Sequence, residues 1–248
     1  MHSRRIEGAS RSGAENMALD QALLDEAERT GRTFLRLYRF DPPCISFGRN
    51  EPARERYDPD AIARRGIDVV RRPTGGRAVW HQHEVTYAVA APVTAFGTLR
   101  EAYRAIHARL VAALRFLGAD VTLAPHRPRP PSTALDRVNS CFAAPVGGEV
   151  LIAGRKVIGS AQVRQGGALL QHGSILLARS PYTPMLPGIS ELSHRNVTAA
   201  QACEATETQF SLRTGWQLVP GGWTTAEQNC ISHLATTKYG HDHWNRKR

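Results

Sequence analysis

The stretch Arg71-Arg72-Pro73-Thr74-Gly75-Gly76-Arg77-Ala78-Val79-Trp80-His81 decides how the rest of the chain is read. It follows a short apolar run, Ile67 to Val70, breaks at a proline and two adjacent glycines, and resumes an alternating pattern through Val89. Adjacent glycines let the backbone approach a ligand closely and present N–H groups, and arginines bind carboxylate or phosphate. Taken alone, the run is as good a basic hairpin loop as a ligand loop. Two later segments tip the balance toward a ligand site.

The 248 residues suffice for one substantial core. With 42% hydrophobic and 22% charged residues, the composition is that of a globular chain in water. No apolar run is long enough for a bilayer and no signal-peptide core is seen, so a cytoplasmic location without a membrane partner is expected. Cys44, Cys141, Cys203 and Cys230 form no CxxC pair. The pairs His81/His83 and His241/His243 lack a third ligand nearby, and no metal is expected.

A formal charge of +10 calls for an acidic partner. No nucleic-acid-binding motif accompanies it, and the basic residues are spread along the chain, so an acidic protein serves as well as nucleic acid. Of the 32 basic residues only Lys156, Lys238 and Lys247 are lysine. A lone lysine in the first 237 positions suggests a place where a point charge is needed and a planar guanidinium will not serve.

Local patterns outline the fold. Ala14 to Arg29 reads as a helix stopped by Gly31, and Thr33 to Phe40 and Cys44 to Phe47 read as strands. Thr98 and Glu101 make a capping box for a helix over Leu99 to Leu117, which presents Ile106, Leu110 and Leu114 to a core and ends at Gly118. Val150 to Ile152 and Val157 to Ala161 flank an Ala153-Gly154 turn, and Gly166-Gly167 leads into Ala168 to Leu177, giving a meander. Thr224 and Glu227 cap a terminal helix running toward Lys238. The irregular alternation argues α+β with a mixed, largely antiparallel sheet flanked by helices.

Three residues carry possible chemistry. Cys141 is either a small buried hydrophobe or a nucleophile. Lys156, fifteen residues on across a hairpin, is either a turn residue or an ammonium that lowers the thiol pKa. His172, in Gln171-His172-Gly173-Ser174, is either a core histidine or part of a pocket wall. The chain has no serine nucleophile elbow, P-loop or GxGxxG run, which argues against common ATPase, dehydrogenase and α/β-hydrolase chemistry.

Together these pieces resemble the biotin/lipoate protein ligase (BPL/LPL) catalytic-domain superfamily. Arg71 to Val79, with His81 to Glu84 and Thr86-Tyr87, is similar to its first signature, and Gly154 to Gln162 with Gln171 to Ser174 is similar to its second. Asn16 to Asp20, Pro43 to Gly48, Lys238-Tyr239-Gly240 and Trp244-Asn245 also match typical positions. ATP-dependent lipoate ligases of that superfamily carry a third glycine where this chain has Arg77. The Gly-Gly-Arg-Ala run and the Cys141-Phe142 pair resemble instead its cysteine-dependent octanoyltransferases of the LipM type.

The resemblance implies one catalytic domain over 1–248, with its core at about 12–245, that works as a monomer without cofactor or metal. It implies Cys141 as acyl-thioester nucleophile and Lys156 as the group that lowers its pKa. It also implies an acyl site lined by Arg72, Gly75, Gly76, Arg77, Ala78, His81, Gly159, Ser160, Ala161, His172, Gly173 and Ser174. Octanoyl-acyl carrier protein would be the donor, and a lipoyl-accepting protein, such as the glycine cleavage H protein or an E2 domain, the acceptor. Both are generally acidic, which accounts for the positive charge and makes nucleic acid unnecessary. An ATP-dependent lipoate ligase, an octanoyl amidotransferase between lipoyl domains and a basic nucleic-acid-binding protein are the alternatives. Trp80 is bulkier than the pattern suggests, and Gly147-Gly148 replaces a more ordered stretch.

Overall fold

The computed structural model describes residues 2–6, 8–125, 148–214 and 216–247. The chain runs β1 (His2–Ile6), β2 (Ser10–Arg11), α1 (Gly13–Thr30), β3 (Thr33–Phe40), β4 (Cys44–Phe47), α2 (Ala53–Arg56), α3 (Pro59–Arg64), β5 (Asp68–Arg71), β6 (Val79–His81) and β7 (Glu84–Pro92). It continues with α4 (Leu99–Phe116), β8 (Val121–Leu123), β9 (Val150–Ile152), β10 (Arg155–Gln165), β11 (Ala168–Leu176), α5 (Ile189–Ser193), α6 (Ala199–Thr214), β12 (Gln217–Gly221), α7 (Thr225–Leu234) and α8 (Asp242–Asn245). The large sheet has the order β12-β1-β3-β7-β11-β10-β9-β8, and a small sheet has the order β5-β4-β6. Among the described residues only the β1 pairings with β12 and β3, β2 with β3, and β4 with β5 are parallel. The fold is therefore α+β with mixed, largely antiparallel sheets.

The large sheet buries both faces, and the period of two along its strands divides the core. Leu35 and Leu37 of β3 join Val85, Tyr87 and Val89 of β7 beneath α4 and α6. Their neighbours Phe34, Tyr38, Ala88 and Ala90 join Met17, Leu23 and Leu24 of α1 on the other face. Because α1 packs on the sheet by one side and on the C-terminal segment by the other, residues 16–24 are all buried. The capping boxes at Thr98 and Thr224 form as read, and Gly31 closes α1 with φ +66°.

Besides the shortest strands and helices, β1, β12 and α6 escape a reading of periodicity. Helix α6 carries its own start signal, since Thr198 Oγ1 accepts from the Gln201 N–H while Gln201 Oε1 accepts from Thr198 N.

The C-terminal segment locks onto β5. Asn245 Oδ1 accepts from Arg71 N at 2.8 Å, Asn245 Nδ2 donates to Tyr239 O at 2.7 Å, and Trp244 Nε1 donates to Arg71 O at 2.8 Å. The buried Arg71 guanidinium donates to the carbonyls of Gly48 and Glu51 at 2.7 and 2.9 Å. Replacing Asn245 by alanine leaves a buried N–H and a buried carbonyl without these partners. The expected loss is about 1–3 kcal/mol of folding stability, read by urea denaturation.

Candidate active site

Arg72 organises the glycine loop. Its Nη1 donates to Ser46 O and to Ser46 Oγ at 2.8 Å, and its Nη2 donates to the carbonyls of Gly75 and Arg77 at 3.0 and 2.9 Å. The loop wraps one guanidinium, with Gly76 at φ +94° making the turn. Gly48 crosses beneath it so closely that a Cβ there would sit 1.8 Å from Gly76 O.

A narrow cavity with about 20 Å³ of free space lies between this loop, α1 and β11, room for about one water. Its wall joins both signature regions. Arg72 and His81 come from the first, and Gly159, Ser160, Ala161, His172, Gly173 and Ser174 from the second; Met17, Phe40 and Val79 add apolar surface. Gly75, Gly76, Arg77 and Ala78 lie outside the wall, and Ala78 packs with Phe47 and Ala53 on the opposite face of the small sheet. Trp80 also points away from the cavity, since it alternates with Val79 and His81. Its Nε1 donates to Ser180 Oγ at 2.8 Å and its ring meets Tyr182 at 5.0 Å. A larger cavity of about 300 Å³ behind the small sheet is walled by Phe47, Tyr57, Ile62, Val69 and Tyr239 and includes none of the residues implied to line the acyl site.

Two histidines face the narrow cavity, each held by a hydroxyl and a carboxylate. His172 Nδ1 lies 2.8 Å from Asp20 Oδ2, so it carries the hydrogen, and Nε2 meets Thr74 Oγ1 at 2.7 Å. Asp20 is fully buried and also accepts from Arg36 Nη1 at 2.9 Å and Tyr38 OH at 2.7 Å. Burial and the neighbouring Asp20 raise the Tyr38 pKa, so the phenol keeps its proton and donates. Arg36 in turn donates to Asn16 Oδ1 at 2.5 Å and stacks 3.7 Å over the Tyr38 ring. At the second histidine, Ser46 Oγ accepts from Arg72, so its own hydrogen goes to His81 Nε2 at 2.7 Å. His81 Nδ1 then faces Glu84 Oε1 at 3.4 Å, and Phe40 stacks on the ring at 4.0 Å. Thr86 and Ser174 hydroxyls both donate to Glu84 Oε2, at 2.7 and 2.8 Å.

The reverse face of β10 and β11 carries a second polar system. Ser160 pairs with Gly173 and Gly173 with Tyr87, so these positions share the face beneath α4. Gly173 leaves the space they need, since a Cβ there would lie 2.6 Å from Ser160 Oγ and 2.4 Å from Gly159 O. Ser160 Oγ meets Tyr87 OH at 2.6 Å and His107 Nε2 at 2.8 Å, and His107 Nδ1 meets Gly148 O at 2.7 Å. Beyond Tyr87 the line continues through Gln171 Nε2 at 2.8 Å and Gln162 Nε2 at 2.9 Å from Gln171 Oε1. Lys156 lies on the same strand beside a register shift between 156 and 158, outside the cavity wall. Its Nζ donates to Glu149 Oε1 at 2.5 Å, with both side chains at least 95% buried. Cys141 and its neighbour Phe142 lie outside the described residues, as does Gly147. Among the described residues no His, Cys, Asp and Glu cluster could hold a metal ion.

Asp20, Asn16, Arg36, Glu84, Glu149 and His107 are partners that the sequence reading did not single out as site residues. For Asp20 and Asn16 a signal exists: two polar residues four apart in a helix stretch that is otherwise Met, Ala and Leu. Glu149 and His107 give none, since a lone Glu or His reads as surface.

Residues 12–181 match the family described as "Lipoyl protein ligase A/B catalytic domain". The chain belongs to this family. Octanoyltransferase LipM of Anoxybacillus flavithermus is 36% identical over 276 aligned positions, covering 99% of this chain and 98% of that protein. Octanoyltransferase LipM of Bacillus subtilis is 34% identical, with the same coverage of 99% and 98%. Among solved structures, a bipartite lipoate protein ligase of Thermoplasma acidophilum has a TM-score of 0.79 at 21% identity, covering 99% of this chain and 96% of that one. That likeness establishes a shared fold.

Two buried histidines of this catalytic domain make its stability depend on pH. Burial lowers the pKa of His81 from 6.5, and it lowers that of His107 from 6.5 to about 4. The unfolded chain therefore binds more protons than the folded one below pH 6.5, and stability rises with pH across that window. Denaturation free energy should be full above about pH 6.5 and fall toward pH 4, by about 3 kcal/mol from His107 alone. His107→Gln should flatten that slope, as measured by urea titration at a series of pH values.

Breaking the buried ion pair has a separate signature. Asp20→Ala leaves Arg36 buried without its counter-charge and should cost about 3–5 kcal/mol, visible as a lowered thermal midpoint at pH 7.

Proposed function

We propose that this chain is an octanoyl-[acyl carrier protein]:protein N-octanoyltransferase of lipoate biosynthesis, an acyltransferase working through a cysteine thioester as one catalytic domain and a monomer. Relationship to octanoyltransferases along nearly the whole chain supports the reaction. The observation that carries the site is the single cavity wall in which the two signature regions meet. No helix among the described residues is long and apolar enough to cross a membrane.

In the first step the Cys141 thiolate attacks the thioester carbonyl of octanoyl-acyl carrier protein. A C–S bond to the enzyme forms, the C–S bond to the carrier breaks, and the carrier leaves as a thiolate that takes up a proton. In the second step the neutral ε-amine of the lipoyl-accepting protein attacks the enzyme thioester; the C–N bond forms, the amine loses a proton and the Cys141 thiolate is released. Thioester exchange is nearly isoenergetic and amide formation from a thioester runs downhill, so the sequence needs no ATP. Lys156, held by Glu149, supplies the positive charge that favours the thiolate and the oxyanion of each addition. His81, His172 and the glycines beside them line the acyl chain's path. In the present conformation that path is narrow, and Met17, the flexible unbranched side chain in its wall, is the one best suited to yield.

Acceptor and donor are both read as acidic proteins, complementary to the +10 charge. Incubation with octanoyl-acyl carrier protein should add one octanoyl group to the intact mass, removable by hydroxylamine. Cys141→Ser should abolish that hydroxylamine-labile adduct, and Lys156→Ala should slow its formation about 10- to 100-fold at pH 7. A hydroxylamine-labile adduct that persists in Cys141→Ser would refute the assigned nucleophile.

A further inference from the structure

We infer that His107, a buried residue of α4 outside both signature regions, is a positioning residue for the reaction: it holds the Gly148-Glu149 corner that aims Lys156. This inference rests on the role of Lys156 given above.

The direction of every hydrogen bond around His107 follows from its partners. Gly148 O is a carbonyl and only accepts, so Nδ1 bears the hydrogen at that 2.7 Å contact. Burial keeps the ring neutral at pH 7, so Nε2 is an acceptor, and the 2.8 Å contact is a donation from Ser160 Oγ. Ser160 Oγ then accepts from Tyr87 OH at 2.6 Å, and the Tyr87 oxygen accepts from Gln171 Nε2 at 2.8 Å. The line thus runs one way, from Gln171 through Tyr87, Ser160 and His107 to the carbonyl of Gly148.

That carbonyl is a consequential end point. Gly148 has φ +88°, a conformation that leaves the corner to be fixed by contacts. Its N–H donates to Ala124 O at 2.8 Å, and the carbonyl of the next residue, Glu149, accepts from Ala124 N at 2.7 Å. Glu149 then turns its carboxylate to Lys156 at 2.5 Å. The groups facing His107 are Tyr103 on its own helix, with ring centroids 4.0 Å apart, Gly148 O, Ser160 on β10, and the charge of Lys156, which adds to the lowering of its pKa. A neutral donor anchors the corner at this place without adding a second positive charge beside Lys156.

The test measures the alkylation rate of Cys141 by iodoacetamide against pH, in a background where Cys44, Cys203 and Cys230 are serine, with thermal melting as the check on folding. His107→Leu, which has no donor for Gly148, should raise the alkylation midpoint by about one pH unit and lower the neutral-pH acylation rate about tenfold. His107→Asn, whose amide N–H stands near the Nδ1 position, should return the midpoint toward that of the unsubstituted residue. If His107→Leu does not fold, His107→Gln, which reaches Ser160 and leaves Gly148 O without its donor, takes its place against His107→Asn. Lys156→Ala separates the two readings. A midpoint raised by Lys156→Ala and unmoved by a folded His107→Leu overturns the role of His107 alone. A midpoint unmoved by Lys156→Ala overturns the role of Lys156, and the inference with it.

Discussion

One buried carboxylate ties the two halves of the candidate site together. Asp20, on α1, accepts from Arg36 and Tyr38 of β3 and from His172 of β11, while His172 reaches Thr74 in the glycine loop. A buried charge is tolerable only when paired and hydrogen-bonded, and donors from two strands meet that demand. The consequence is geometric. The helix, the central strands and the loop share one fixed point, and the cavity is the space left beside it. Neutralising or shortening Asp20 would loosen all three at once.

The two sides of β10 and β11 divide the work. Alternation puts Gly159, Ala161, His172 and Ser174 on one face and Ser160 on the other, where its hydroxyl meets Tyr87 and His107 while the residue still borders the cavity. Strand geometry therefore separates the face that carries His172 from the face that carries the hydroxyl line beneath α4. Gly173 belongs to both sides, because the missing side chain keeps the strands close in front and leaves room for the hydroxyl line behind. A substitution there would be felt across the sheet.

Arginine has two uses in this protein. Arg71 and Arg72 are buried and bind peptide carbonyls, so the charges that first suggest an anion loop instead hold the loop, β4 and the C-terminal segment in place. A guanidinium suits this because its planar fork serves several acceptors at once. The net positive charge of the whole chain sets the sign of its long-range field.

The sequence by itself determined the elements with strong local signals: α4 and α7 with their capping boxes, the end of α1 at Gly31, and the meander marked by Ala153-Gly154 and Gly166-Gly167. Through two signature runs it also identified the family, and it picked out the histidines, glycines and serines that meet in the cavity wall. These were legible because caps, turns and motifs are encoded within a few residues. Tertiary structure alone decided the partners of those residues: Asp20 for His172 across 152 positions, His107 for Ser160 across 53, and Asn245 for Arg71 across 174. It also decided that β1 and β12 pair in parallel at the sheet's edge, which no local pattern announces. The physical reason is the same in each case. A hydrogen bond or a strand pairing between distant segments depends on where the whole chain places two groups, and neither segment alone carries that information.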